Sequence, residues 1–297
     1  ETDMYQVKSV GKVAQLEAVA GQQPELKKLA GCGIAHTRWA THGAPSTLNA
    51  HPHLDESGRF AVVHNGIIEN YQELRKHLES KGVRFRSQTD SEVIPHLIAG
   101  AYEGDLLSAV AAALKQLDGT YGIAVVSSLE PGVVVTARKG SPIVIGLGEE
   151  ENLVASDIAA LLPYTRQVIY LNDGDIAAIT ADKVDLRNIQ NVPVEREVAK
   201  IDWDAGQAEK GNYPHFMLKE IFEQPETIEN AIRGRIDHEM GTAILNGMNL
   251  SPRELALINR IVIAGCGSSM HAGMLGEYYF EDIAGISTSV EQAAEFR

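Results

Sequence analysis

Gly33-Ile34-Ala35-His36-Thr37-Arg38-Trp39-Ala40-Thr41-His42-Gly43 is the stretch on which the reading of this chain turns. It opens small and apolar, as a buried strand does. It then places Arg, Trp, Thr and His within five residues and closes on Gly. A guanidinium such as that of Arg38 binds a carboxylate through paired hydrogen bonds. Thr41 supplies a hydroxyl, His42 a second polar group and Trp39 a flat wall. Such a set suits a small amino acid held by its carboxylate. An isolated Arg-Trp pair also fits a strand end with a surface ion pair, which alone means little.

Two later stretches add to it. Ala61-Val62-Val63-His64-Asn65-Gly66 is an apolar strand ending in Asn-Gly. Asn65 can donate its side-chain amide and Gly66 an unobstructed backbone N–H, the donors of an oxyanion hole. Ser87-Gln88-Thr89-Asp90-Ser91-Glu92 heads an apolar-periodic segment. Asp90 reads equally as an acceptor for an α-ammonium group or as a helix N-cap, and the residues do not separate the two. Carboxylate clamp, oxyanion donors and ammonium acceptor together describe a site for an α-amino acid whose side-chain carbonyl is attacked.

The motifs Thr37-Arg38-Trp39-Ala40-Thr41-His42-Gly43, Asn49-Ala50-His51-Pro52-His53, His64-Asn65-Gly66-Ile67-Ile68-Glu69-Asn70 and Thr89-Asp90-Ser91-Glu92 closely resemble the glutaminase domain of the glutamine–fructose-6-phosphate aminotransferase (glucosamine-6-phosphate synthase) family. Order and spacing match throughout. The resemblance implies an α+β fold, the αββα sandwich of N-terminal-nucleophile hydrolases (class II glutamine amidotransferases). It implies that Arg38 binds the glutamine carboxylate, that Thr41, His42 and Asp90 position its polar groups, and that Trp39 covers the site. Asn65 and Gly66 are the implied oxyanion hole. Ammonia released from glutamine is expected to pass to fructose 6-phosphate, giving glucosamine 6-phosphate. No cofactor and no metal is expected, since protein groups supply nucleophile and oxyanion donors.

The family's nucleophile is an N-terminal cysteine followed by Gly-Ile. Here the first residue is Glu1, so the chain is expected to begin inside the family's domain and to bind glutamine without turning it over. Cys32-Gly33-Ile34 copies the letters, but an internal cysteine has no free α-amine to activate it. A strand thiol serving as packing is the better reading.

Composition agrees with an ordinary protein that has real cores: 297 residues, 44% hydrophobic and 22% charged. The length suits two domains. A net charge of −14 argues against nucleic acid and anionic membranes as partners. Two cysteines, Cys32 and Cys266, make neither a disulfide framework nor a zinc site and suit a cytoplasmic setting. His42, His51 and His53 lie close in sequence, but without an acid or thiol at ligand spacing they read as loop-organising residues.

Periodicity predicts helices over 69–80, from Val93 onward, and over 106–117. A strand is expected over 83–86, and short strands over 121–126, 132–137, 143–147, 152–155, 168–171 and 175–179. The glutaminase domain is assigned to 1–182 and a polar linker to 183–212. The piece 213–297 is assigned to an interdomain helix, with a kink or restart at Pro225, and the beginning of a second domain. In that piece Arg260-Ile261-Val262-Ile263-Ala264-Gly265-Cys266-Gly267-Ser268-Ser269 is a strand and Gly-rich turn entering a helix, a phosphate cradle. The glycine pattern is incomplete for a dinucleotide site. It resembles the first strand and loop of a sugar isomerase (SIS) domain, which implies that Cys266, Gly267, Ser268 and Ser269 contact a sugar phosphate. A homodimer is expected of the full-length family enzyme. Two rivals remain: a purine-pathway phosphoribosyl amidotransferase, against which the Gly265–Ser269 loop argues, and a non-catalytic glutamine- or sugar-phosphate-binding module.

Overall fold

The computed structural model describes residues 4–24, 26, 31–38, 43–201, 211–237, 241–243 and 252–293. The chain divides into two units, 1–211 and 212–297.

In the first unit, α1 (Val13–Gly21) precedes a six-stranded sheet. Its strands are β1 (His53–Leu54), β2 (Phe60–Ile68), β3 (Gly119–Ser127), β4 (Val134–Lys139), β8 (Asp175–Ile179) and β9 (Val184–Asn188), adjacent in that order and antiparallel. Between β2 and β3 the chain forms α2 (Tyr71–Ser80), α3 (Val93–Ala101) and α4 (Leu106–Leu114). The second sheet is β10 (Ala199–Lys200), β7 (Gln167–Tyr170), β5 (Val144–Leu147) and β6 (Asn152–Ala155).

Alternation along β2 separates its two faces. Phe60, Val62 and Ile68 join Ile94, Ile98, Leu106 and Val110 in the core between helices and sheet. Ile94 and Ile98 are fully buried, each contributing about 2 kcal/mol by leaving water. A second core, including Ile145, Ile169 and Leu171 with Ala177 and Ile179, joins the two sheets. Leu161, Leu162 and Ile201 cover Val144 and Val168 beside the 3-10 turn Ile158–Ala160. The result is the layered α+β sandwich expected from grouped helices and strand runs.

Several local expectations change. Residues 83–86 form no strand, because their N–H groups are taken elsewhere. Val83 N donates to Leu78 O (3.1 Å), and Arg86 N to the Glu92 carboxylate (2.7 Å). Residues 32–38 lie outside both sheets, and Gly33 and Ala35 are exposed, since no strand among the described residues offers them a ladder. The third helix stops at Leu114. The stretch expected as linker carries β9 and β10, both paired into the first unit. It is also clamped by Arg196, whose Nε and Nη2 meet the buried Asp175 carboxylate at 2.8 and 2.7 Å.

In the second unit, α5 (Phe216–Ile232) runs on through Pro225 without a break. A small antiparallel pair follows, β11 (Ile236–Asp237) and β12 (Thr242–Ala243), then α6 (Pro252–Leu255). The parallel strands β13 (Arg260–Gly265) and β14 (Ser287–Gln292) are connected through α7 (Ser268–Asp282). A Cβ on Gly273 would lie 2.9 Å from Ile263 Cγ2, so glycine there lets α7 lie close on β13.

Candidate functional site

Asn65 and Gly66 sit near the end of β2, where the alternation turns Asn65 away from the helices. Asn65 and His36 line a cleft of about 700 Å³ with Gly33–Ala35 and Val63. His36 Nε2 lies 2.7 Å from Asn65 Oδ1. Gly66 has φ +128°, and a Cβ there would lie 2.2 Å from Thr120 O. Only glycine allows β2 and β3 this approach.

Asp90 is buried and does not cap α3. Its Oδ2 accepts from Ile68 N at 2.8 Å, two residues beyond Gly66, and Ser91 Oγ lies 3.4 Å from its Oδ1. The helix begins after Glu92. Ser91 also meets His64 Nδ1 at 2.8 Å, while His64 Nε2 lies 3.3 Å from Thr120 O. The carbonyl accepts only, so Nε2 is the protonated nitrogen.

The loop carrying Asp90 is held from two sides. Glu92 accepts from Arg86 N (2.7 Å), Ser87 N (2.6 Å) and Ser87 Oγ (2.6 Å). Burial alone would raise its carboxyl, yet the nearby His96 ring (Nε2 3.9 Å away) and hydrogen bonds from Ser87 and the backbone hold it down at about 2. On the other side Asn49 donates to Ala44 O (2.9 Å) and accepts from Gln88 N (3.0 Å).

Arg38 donates to Gly43 O (2.8 Å) and Ala44 O (3.3 Å). With His36, Thr37 and His51 it lines a separate cleft of about 190 Å³. The structure thus joins Asn65 to His36 and seats Asp90 at the end of the same strand, while Arg38 lines a different cleft from Asn65 among the described residues. Trp39, Thr41 and His42 lie outside the described residues.

Four imidazoles gather behind the site. His36 and His51 rings are 4.3 Å apart, His51 and His53 4.7 Å. Burial lowers His36, His51 and His64, and it holds His53 at about 4 with help from the Lys8 charge. All four are therefore neutral at pH 7. Among the described residues no group of three or more His, Cys, Asp or Glu could hold a metal ion. Cys32 lines the Asn65 cleft too, but its Sγ faces Val133 O at 3.8 Å, and a carbonyl does not take a thiol proton.

Residues 36–163 match the glutamine amidotransferase domain, and residues 254–297 match the SIS domain. The chain is 51% identical, over 98% of its length, to the glutamine–fructose-6-phosphate aminotransferase [isomerizing] of Symbiobacterium thermophilum, covering 47% of that protein. The identity is 48% to the proteins of the same name from Thermus thermophilus and Aquifex aeolicus, again over 98% of this chain and 47% of theirs. By sequence the chain belongs to this aminotransferase family. It spans about half the length of the curated relatives it matches. Alignment with the solved glutamine phosphoribosylpyrophosphate amidotransferase of B. subtilis has a TM-score of 0.47 at 17% identity, over 86% of this chain and 50% of that one. That likeness is too weak to add to the case.

In this family member the loop expected to contact a sugar phosphate follows β13. The strand leads through exposed Cys266 and through Gly267 at φ +57° into α7, with Ser268 and Ser269 exposed in its first turn. The loop joins a parallel strand to a helix N-terminus, where N–H groups lack intrahelical partners.

Sequence reasoning assigned no role to His36, Asn49, Ser91 or Glu92. Each acts through a hydrogen bond. His36 lies two positions before Arg38 in the opening motif, but its partner is 29 residues away, and no local pattern encodes that.

Proposed function

We propose that the first unit binds glutamine, with Asn65 and Gly66 as the oxyanion hole for attack on its side-chain amide and Asp90 as the acceptor of its α-ammonium group. Arg38 takes the α-carboxylate. To do so the guanidinium exchanges the neutral carbonyls of Gly43 and Ala44 for a charged acceptor, which makes the stronger bond. Trp39, Thr41 and His42 complete this set on the family resemblance alone. In the whole protein the ammonia released passes to fructose 6-phosphate, and Cys266, Gly267, Ser268 and Ser269 contact the sugar phosphate at the N-terminus of α7. The whole protein works as a homodimer in the cytoplasm.

The observation that carries the reading is the placement of Asn65, next to Gly66 on β2, in the lining of a cleft, with a buried carboxylate bonded to the end of the same strand. Calorimetry with glutamine, paired with a glutaminase assay on the same sample, tests it. Arg38→Ala is expected to weaken binding about 100-fold, the size of a lost charge-assisted pair. Unchanged affinity in that variant would sink the carboxylate clamp, and absence of binding by the parent chain would sink the site.

A further inference from the structure

We propose that His36 is a positioning residue: it sets which end of the Asn65 amide faces the cleft, so that the NH2 group is available to a developing oxyanion. The inference rests on the oxyanion-hole reading of Asn65 and goes beyond it by naming what makes that donor a donor.

An asparagine amide has nearly the same shape in its two flipped orientations, so packing alone does not choose between them. One orientation offers hydrogens to an oxyanion; the other offers a carbonyl, which repels it. The partner on the far side must therefore decide. Here it is His36 Nε2, 2.7 Å from the amide oxygen. The tautomer follows from the other ring nitrogen. His36 Nδ1 is buried and has no hydrogen-bond partner among the described residues. A proton on Nδ1 would be a buried donor without an acceptor, which is costly. The proton therefore sits on Nε2, and a donor at Nε2 demands the amide oxygen opposite it. The NH2 end is then turned away from His36, and among the described residues no acceptor takes it. Burial and the nearby Arg38 charge keep the ring neutral, so the single proton is not joined by a second on Nδ1.

Glutamine hydrolysis by the intact natural protein, with kcat and KM separated, tests the assignment. His36→Gln can present either end of its amide to Asn65, so about half of the molecules keep the NH2 end in the cleft and kcat is expected to stay within about threefold of the parent. His36→Glu has the same shape but offers only acceptors. It is expected to turn the Asn65 amide over and lower kcat about 100-fold at little-changed KM, the typical loss of one oxyanion donor. Asn65→Ala should lose as much, and adding His36→Glu to it should lose nothing more. Equal kcat for the Gln and Glu variants, with Asn65→Ala impaired, overturns the positioning role and leaves the oxyanion hole standing. Undiminished kcat in Asn65→Ala overturns both. A second measurement avoids variants altogether. Nitrogen-15 NMR of the His36 ring at neutral pH should show a protonated Nε2 and a bare Nδ1; a protonated Nδ1 refutes the inference.

Discussion

Replacing Glu92 with Gln should loosen the loop that carries Asp90, and the size of the effect can be worked from the structure. The carboxylate is buried and accepts from Arg86 N, Ser87 N and Ser87 Oγ. Its carboxyl is held at about 2 against an ordinary 4.5, which favours the ionised form in the folded chain by about 3 kcal/mol. Glutamine has the same shape but one acceptor oxygen. Its NH2 group must face at least one of those donors, so a buried N–H or O–H loses its partner. A cost of about 3 kcal/mol at pH 7 follows from the same linkage. The folded value lies below the unfolded one, so this stability is fully present above about pH 4.5 and is lost as pH falls toward 2. Amide hydrogen exchange at Ile94 and Ile98 in increasing urea reports opening of the first unit in particular. The parent and Glu92→Gln should differ most at neutral pH and converge toward pH 2. A difference below about 1 kcal/mol at pH 7, or one that does not shrink on acidification, would refute the argument.

Two further perturbations probe the fold around the site. Gly66→Ala places a Cβ 2.2 Å from Thr120 O at φ +128°, and should cost at least about 3 kcal/mol in the same exchange experiment, with glutamine binding lost. Full stability in that variant would contradict the close approach of β2 and β3. Asp175→Asn leaves the Arg196 guanidinium without its charged partner beside a buried site. A loss of stability is expected, with faster tryptic cleavage after Arg187 and Arg196. Unchanged cleavage would mean that the 184–200 segment is not held by this pair.

Hydrogen bonding explains where the sequence was legible and where it was not. Helices α2 to α4 follow from apolar periodicity and the strands β2 to β8 from short apolar runs, because their decisive contacts recur at fixed spacing. Asp90 shows the opposite case. Helix capping and ligand binding both suit an acid at that position, yet its carboxylate goes to Ile68 N, 22 residues away. Residues 184–188 looked like linker because an edge strand needs little apolar surface. All five are half-buried, and they pair with β8.

By itself, then, the sequence determined the α+β class, the Arg38, Asn65-Gly66 and Asp90 motifs, and the strand–turn–helix at Gly265–Ser269. All of these are written in neighbouring residues. Tertiary structure alone decided that 32–36 line a cleft outside both sheets, that Glu92 anchors the Asp90 loop, and that His36 faces the Asn65 oxygen. The physical reason is that a buried polar group must find a partner wherever the folded chain places one, and for these residues that partner lies on a different segment or beyond a turn.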